Sequence, residues 1–196
     1  SPHKCVVTVY LGAAALIAGL AGGGMVTPTA AKGTCDVTSF KAPPDATVVS
    51  VKAFTAPVNY CRVDGYVTTT DPGPNRVKFM LALPENFNGR YLLTAQGGAA
   101  GWVPDPTEPH LRAGYAIAST DKGVVAAHGL DFSFRSNTAQ SLDWSHRGAH
   151  VAAVATQALA REYYDSPRMH RYAAGCSGGA ATVLAEAERY PQDFDG

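Results

Sequence analysis

The fold is decided by the stretch Arg171-Tyr172-Ala173-Ala174-Gly175-Cys176-Ser177-Gly178-Gly179-Ala180. Residues 169–174 are apolar enough for a short buried strand, and 180–188 are rich in helix-forming alanine and glutamate. The glycines between these segments permit a sharp change of direction. The sequence therefore predicts a strand, an elbow and a helix in immediate succession.

The elbow matches G-x-S-x-G at 175–179, a pattern that lifts a serine hydroxyl onto a strained strand-to-helix turn. Gly175 and Gly179 lack the Cβ atoms that would collide as the chain reverses, and the N–H of Gly178 is left to face an oxyanion. Because the chain contains 20 glycines, a chance match is the alternative. The strand before and the helix after favour Ser177 as a catalytic nucleophile.

The composition is that of an ordinary globular protein. Of its 196 residues, 46% are hydrophobic, and 16 basic residues balance 16 acidic ones. A formal net charge of zero and the lack of a basic run argue against binding to a nucleic-acid backbone. The composition therefore gives no indication of nucleic-acid binding.

Residues 1–31 resemble an export signal. Lys4 precedes an apolar run from 5 to about 20, and the small residues at 29–31 suit a cleavage site. An uncleaved membrane anchor is the alternative, although the glycines within the run weaken it. We expect a secreted protein, extracellular or periplasmic, whose mature part begins at residue 32 and has no stable membrane association.

Export implies an oxidising compartment, in which the cysteines that remain can pair. Cys35 and Cys61 bracket the start of the mature chain. A bridge between them would close a loop of roughly 25 residues and stabilise the fold by about 3 kcal/mol in the chain-entropy model. Two free thiols are the alternative, and Cys176 is a third candidate for a disulfide.

Strand and helix patterns indicate an α/β fold. Strands are predicted at 48–51, 60–67 and 76–83, with the last two paired as a hairpin. From residue 90 onward, strands at 90–95, 114–120 and 169–174 alternate with helices at 141–164 and 180–188, which indicates a parallel sheet covered by helices. In the longer helix, Asp143 is expected near the N-terminal dipole, and the predicted core face is Val151, Val154, Ala158 and Leu159.

The glycine-rich segment 96–101 follows the predicted strand 90–95. It matches neither G-x-x-x-x-G-K-[ST] nor G-x-G-x-x-G, which argues against a nucleotide site. In serine hydrolases with the elbow motif, a loop at this point supplies the second oxyanion N–H, and this segment is our candidate for that loop. A plain flexible turn is the alternative.

Other polar residues have structural interpretations. Asp121 ends a strand and is expected to cap the following turn, whereas His128 is expected in an exposed loop. His146 and His150 have the spacing of metal ligands on a helix, but no acidic or cysteine residue completes H-E-x-x-H. No metal site is therefore predicted.

Several separated segments together resemble the tannase/feruloyl esterase family, whose members are secreted α/β-hydrolases that cleave esters of aromatic acids. The resemblance covers nearly everything after residue 34 and is strongest at the elbow and beyond it. It rests on Tyr60-Cys61-Arg62-Val63-Asp64-Gly65, Leu83-Pro84-Glu85-Asn86-Phe87-Asn88-Gly89-Arg90, Gly97-Gly98-Ala99-Ala100-Gly101, 112–121, Arg147-Gly148-Ala149-His150, Gly175-Cys176-Ser177-Gly178-Gly179 and 188–196. It implies an α/β-hydrolase fold that is truncated after the nucleophile elbow and its helix, so that residues 32–196 are the N-terminal part of a catalytic domain.

The resemblance also assigns roles to residues. It implies that Ser177 is the nucleophile and that Cys176 forms a disulfide with a cysteine beside the catalytic histidine, beyond Gly196. The triad aspartate and histidine, the later strands and the lid domain with its calcium site would also lie beyond Gly196, so no cofactor is expected in this segment. Cys35 and Cys61 are similar to the family's N-terminal disulfide pair. The family loop often has four consecutive glycines, whereas this chain has two, and Gly98 is our choice of donor.

The sequence thus predicts a secreted serine esterase that acts on esters of aromatic (phenolic) acids through an acyl-enzyme on Ser177. A nucleophilic Cys176 is a less favoured enzyme hypothesis, because the elbow projects its central residue. The alternative from another class is an exported, non-catalytic binding protein with the same fold. Residues 32–196 alone are expected to be inactive and poorly stable, with an unpaired sheet edge.

Overall fold

The computed structural model describes residues 33–196. The predicted export signal at 1–31 lies outside the described residues. Within 33–196, no helix combines the length and the hydropathy needed to cross a bilayer.

A six-stranded mixed sheet organises the described residues. The strands are β1 (Ala46–Phe54), β2 (Tyr60–Thr69), β3 (Asn75–Pro84), β4 (Arg90–Ala95), β5 (Ala116–Thr120) and β6 (His170–Gly175), in the spatial order β1-β2-β3-β5-β4-β6. Strands β1, β2, β3 and β5 pair antiparallel in that order, whereas β4 pairs parallel with both β5 and β6. The predicted hairpin and the predicted parallel sheet are both confirmed.

Strand β4 lies between β5 and β6 in the sheet. The connection that follows β4 therefore runs to one side of it, and the connection into β6 crosses to the other side. In open α/β sheets such a reversal opens a crevice at the carboxyl ends of the strands, where ligands bind. The predicted nucleophile follows β6 and the predicted oxyanion loop follows β4. The topology therefore brings both to the same end of the sheet.

Helices cover the sheet on both faces. They are α1 (Glu108–Arg112), α2 (Thr138–Leu142), α3 (Gly148–Tyr163) and α4 (Gly178–Arg189), and a π-helical turn (Asp143–Arg147) joins α2 to α3. The larger core lies between the sheet and α3, and a smaller one on the opposite face packs Leu111 of α1 against Met80 and Ile117. The Cys35–Cys61 disulfide ties the segment before β1 to the start of β2, as predicted.

The predicted core face of α3 is partly wrong. Leu159 is buried as expected, but Val154 is 43% exposed, and the buried positions are mainly alanines, including Ala152 and Ala153. Helix α3 packs directly on β3 and β5. Small side chains allow this close approach. The positions of the large apolar side chains therefore did not predict which face of α3 is buried.

Asp143 does not support a helix N-terminus, which corrects the sequence-based expectation. It lies in the π-helical turn, is fully buried, and accepts hydrogen bonds from Thr69 Oγ1 (2.8 Å), Asn75 Nδ2 (2.7 Å) and Arg147 Nε. The remaining guanidinium nitrogens of Arg147 donate to the carbonyl oxygens of Thr70 (2.6 Å) and Pro72 (2.9 Å). This network joins the helical layer to the β2–β3 turn.

Asp121 caps the turn after β5, as predicted. Its Oδ1 accepts hydrogen bonds from the N–H groups of Gly123 (2.8 Å) and Lys78 (2.9 Å). The side chain is 3% exposed, and burial raises its pKa from 3.8 to about 6 in spite of these hydrogen bonds.

We expect this carboxyl group to give the protein a measurable pH dependence of stability. Between about pH 4 and pH 6 the native state holds a proton that the unfolded state has lost, so stability falls as the pH rises through this window and then levels off. A pKa difference of about two units corresponds to about 3 kcal/mol. Asp121→Asn keeps the accepting oxygen and is expected to remove this pH dependence in urea unfolding at pH 4 to 7.5. If the free energy of unfolding depends on pH in the same way in the wild type and in Asp121→Asn, the pH dependence does not come from Asp121.

Candidate active site

Three loops meet at the carboxyl ends of β4, β5 and β6. The N–H of Ala99, in the glycine-rich segment, donates to the carbonyl oxygen of Gly129 (2.8 Å), and the N–H of Gly101 donates to that of Asp121 (3.3 Å). These bonds hold the loop after β4 against the loop after β5. Backbone from both loops therefore borders the end of the sheet at which the topology predicts a crevice.

The residue at the centre of the elbow is strained and accessible. Ser177 has φ 56° and ψ −121° between the end of β6 and the start of α4, and its side chain is exposed. A non-glycine residue in this region costs about 1–3 kcal/mol, and such strain is concentrated at functional sites. The Gly179 N–H donates to the Cys176 carbonyl oxygen (2.9 Å) and closes the turn. The predicted elbow is thus present in the structure.

Two glycines are required where the elbow packs against the end of β4 and against the start of α4. A Cβ atom on Gly179 would lie 2.2 Å from the carbonyl oxygen of Ala95, and one on Gly175 would lie 2.5 Å from the carbonyl carbon of Gly179. Both distances are far inside van der Waals contact. The G-x-S-x-G spacing therefore reflects close approach of backbone to backbone.

The two predicted oxyanion donors lie against each other. A Cβ atom on Gly178 would be 2.9 Å from the amide nitrogen of Gly98, and Gly98 itself has φ +61°. The neighbouring Ala99 N–H is already bonded to Gly129, whereas the N–H groups of Gly98 and Gly178 have no hydrogen-bond acceptor within 33–196. Two N–H groups without an acceptor in 33–196 therefore lie beside Ser177, and their role as oxyanion donors stays a prediction.

An aromatic side chain fixes the glycine-rich loop and borders the crevice. With its amide oriented to satisfy both groups, the Gln96 side chain donates to the Trp102 carbonyl oxygen and accepts from Trp102 Nε1, each at 2.7 Å. Trp102 is 49% exposed and approaches Gly129. Leu130, which follows Gly129 in the chain, is also exposed. We call these two exposed apolar side chains the apolar rim.

A buried lysine beneath the elbow helix was missed by the sequence analysis. Lys122 is 1% exposed, and its Nζ donates to Thr182 Oγ1 (3.1 Å) and lies 5.1 Å from the centre of the Trp144 ring. Burial lowers its pKa to about 8. Thr182 in turn donates to the carbonyl oxygen of Gly178 (3.0 Å). The pattern Asp-Lys-Gly at a strand end gave no sign that the ammonium group would point inward.

The predictions for Cys176 and for the catalytic base are not tested by the described residues. His128 is exposed, as expected. No cysteine in 33–196 is a free thiol, and this includes Cys176, whose link to a cysteine beyond Gly196 remains a prediction. No hydrogen bond joins the Ser177 hydroxyl to a histidine or carboxylate within the described part of the chain, so the catalytic base also remains a prediction.

Comparison with known proteins places this site in context. The family model described as "Tannase and feruloyl esterase" matches residues 61–196. A probable feruloyl esterase of Arthroderma benhamiae is 33% identical over 149 residues, and feruloyl esterase B of Aspergillus niger is 30% identical over 143 residues; the match covers 71% and 72% of this chain.

The fold comparison agrees with the sequence comparison. The crystal structure of feruloyl esterase B from Aspergillus oryzae superposes with a TM-score of 0.72 at 27% identity, covering 83% of this chain and 35% of that one. The α/β-hydrolase fold is thus confirmed. The chain spans about a quarter of the length of the two curated relatives, 27% and 26% respectively. Because the family model matches residues 61–196, which include the elbow, the chain belongs to the tannase and feruloyl esterase family.

Proposed function

We propose that the whole protein containing this chain is a secreted serine carboxylic ester hydrolase that acts on esters of aromatic (phenolic) acids. The observation that carries the proposal is that the strained, exposed Ser177 lies beside Gly98 and Gly178. The N–H groups of these two glycines have no hydrogen-bond acceptor within 33–196. The named activities of the relatives, feruloyl ester hydrolysis among them, support the reaction class. The apolar rim at Trp102 suits an aromatic substrate.

The proposed reaction proceeds in two halves. A histidine outside the described residues takes the Ser177 proton while Oγ bonds to the ester carbonyl carbon, and the N–H groups of Gly98 and Gly178 stabilise the resulting oxyanion. The C–O bond to the alcohol then breaks, and the alcohol leaves with the proton from the histidine. Water, activated by the same histidine, attacks the acyl-enzyme, releases the acid and restores the serine hydroxyl.

The first test is the substrate profile of the whole protein. We expect kcat/KM for methyl esters of hydroxycinnamic or hydroxybenzoic acids to exceed that for a methyl ester of an aliphatic acid, because only the aromatic acids use the apolar rim. Hydrolysis followed by chromatography of the released acid measures the ratio. A protein that binds these esters without releasing acid would instead be the non-catalytic binding protein.

Gly98→Ala tests the oxyanion assignment. The added Cβ would lie 2.3 Å from the Gly129 carbonyl oxygen at a positive φ, so the loop must shift and its N–H leaves the oxyanion position. Loss of one oxyanion donor costs about 10²–10³ in kcat, and we expect a fall of about 100-fold with a small change in KM.

Gly89→Ala is the matched control for this variant. Gly89 also has a positive φ, +80°, but a Cβ there meets nothing within 4 Å, and the residue lies in the turn before β4, at the other end of the strand from the crevice. This variant carries the same type of backbone strain and is expected to retain wild-type kcat. Equal kcat for Gly98→Ala and Gly89→Ala would refute the role of Gly98.

A further inference from the structure

A largely buried cluster lies at the C-terminal half of α4, and it contains one of the two histidines whose spacing was judged insufficient for a metal site. It consists of His150 from α3, Glu186 from α4 and Asp193 from the segment after α4. One ring nitrogen and one oxygen from each carboxyl group all lie within 4.8 Å of one another. These residues are 43 positions or fewer apart along the chain, but no short motif links them.

Glu186 lacks the partners that a buried carboxyl group requires. It is 1% exposed, and within 33–196 neither of its side-chain oxygens has a hydrogen-bond partner. Burying such a group without a partner is costly. Burial, together with the neighbouring Asp193, raises its pKa to about 8.

The other two members of the cluster are already held in place. His150 Nδ1 is 2.6 Å from Asp193 Oδ2, and the imidazole stacks on the Tyr190 ring with 3.7 Å between centroids. Gln157 Nε2 donates to the Asp193 backbone carbonyl oxygen (2.9 Å). Such supporting contacts around candidate ligands fix their orientation before an ion binds.

We propose that His150, Glu186 and Asp193 form a binding site for a first-row divalent cation of the Zn²⁺ class. One imidazole nitrogen and two carboxylate oxygens suit such ions better than Ca²⁺, which prefers oxygen ligands alone. Bonds of about 2.0–2.2 Å place the ligands of one tetrahedral ion roughly 3.4 Å apart. The ligand atoms of this cluster lie within 4.8 Å of one another, so the most widely separated pair must close by up to about 1.4 Å.

A cation at this position would act structurally. It would join α3, the C-terminal half of α4 and the segment after α4, while Ser177 lies at the N-terminal end of α4. Two carboxylates would balance its double charge, and no lysine or arginine in 33–196 forms an ion pair with either of them. Because this cluster is separate from the crevice, the proposal is independent of the proposed ester hydrolysis.

Zn²⁺ titration of the whole protein tests the site. The protein is stripped of metal, saturated with Ca²⁺ to fill sites with only oxygen ligands, and titrated with Zn²⁺ by calorimetry. We expect one Zn²⁺ per chain in the wild type and in Glu188→Gln, a matched control for an exposed glutamate on the same helix. Glu186→Gln and His150→Asn are expected to lose that Zn²⁺ or bind it at least about 100-fold more weakly, beyond the loss caused by outer-shell changes.

Equal Zn²⁺ stoichiometry and affinity in the wild type and Glu186→Gln would overturn the proposal, as would a wild type that binds no Zn²⁺ below about 0.1 mM. A readout that needs no variant is anomalous scattering at the zinc edge from wild-type crystals grown with Zn²⁺. A peak between the three side chains supports the site. Absence of a peak there would overturn it.

Discussion

Ser177→Ala is expected to reduce kcat for phenolic ester hydrolysis by the whole protein by at least about 10⁴-fold. The hydroxyl is the proposed attacking group, and removal of a nucleophile leaves only the contribution of the oxyanion site and of binding. The hydroxyl is exposed and makes no recorded hydrogen bond within 33–196, so its loss should change the free energy of unfolding by less than about 0.5 kcal/mol. The variant therefore separates catalysis from folding.

Ser145→Ala is the matched control for this variant. Ser145 is also exposed, lies in the π-helical turn and donates only to the Leu142 carbonyl oxygen (2.8 Å). It should retain wild-type kcat. Substantial activity in Ser177→Ala, with the stability of both variants unchanged, would exclude Ser177 as the nucleophile.

The second large effect is expected in stability. Asp143→Ala should destabilise the protein by about 3–5 kcal/mol, because it leaves the largely buried guanidinium of Arg147 and the donors on Thr69 and Asn75 without their acceptor. This is a large fraction of the 5–15 kcal/mol typical of a folded domain. Urea unfolding followed by circular dichroism measures the difference.

An exposed ion pair of the same spacing provides the control. Glu108 and Arg112 are also four residues apart on a helix, at 2.8 Å, but their side chains are 61% and 57% exposed. Glu108→Ala should cost less than about 0.5 kcal/mol. If both substitutions cost the same, the buried network around Asp143 does not stabilise the fold as described.

The elbow could be predicted because its determinants are local. An apolar strand, glycines at fixed offsets and a helix-forming segment occur within about twenty consecutive residues, and the close contacts of Gly175 and Gly179 explain why those positions tolerate no side chain. The hairpin of β2 and β3 was predictable for the same reason. Polar and apolar residues alternate along these strands, which have equal length and are joined by a proline-rich turn. The alternation and the turn together determine how the two strands pair.

The features that were missed depend on contacts between distant segments. Asp143 was expected to serve a helix dipole, but its partners Thr69 and Asn75 are 74 and 68 residues away. Lys122 is buried because its ammonium group donates to Thr182 on α4, which lies 60 residues further along the chain. Local patterns carry no information on such partners, so buried polar networks were the least predictable part of this protein.

The most direct test of the esterase account is covalent trapping of the nucleophile. The whole protein is treated with an aryl fluorophosphonate, digested and analysed by tandem mass spectrometry. We predict one phosphonyl group per protein on Ser177, with loss of ester hydrolysis in proportion to labelling. Complete inactivation with the label on a different residue, or full labelling of Ser177 with hydrolysis undiminished, would contradict the account.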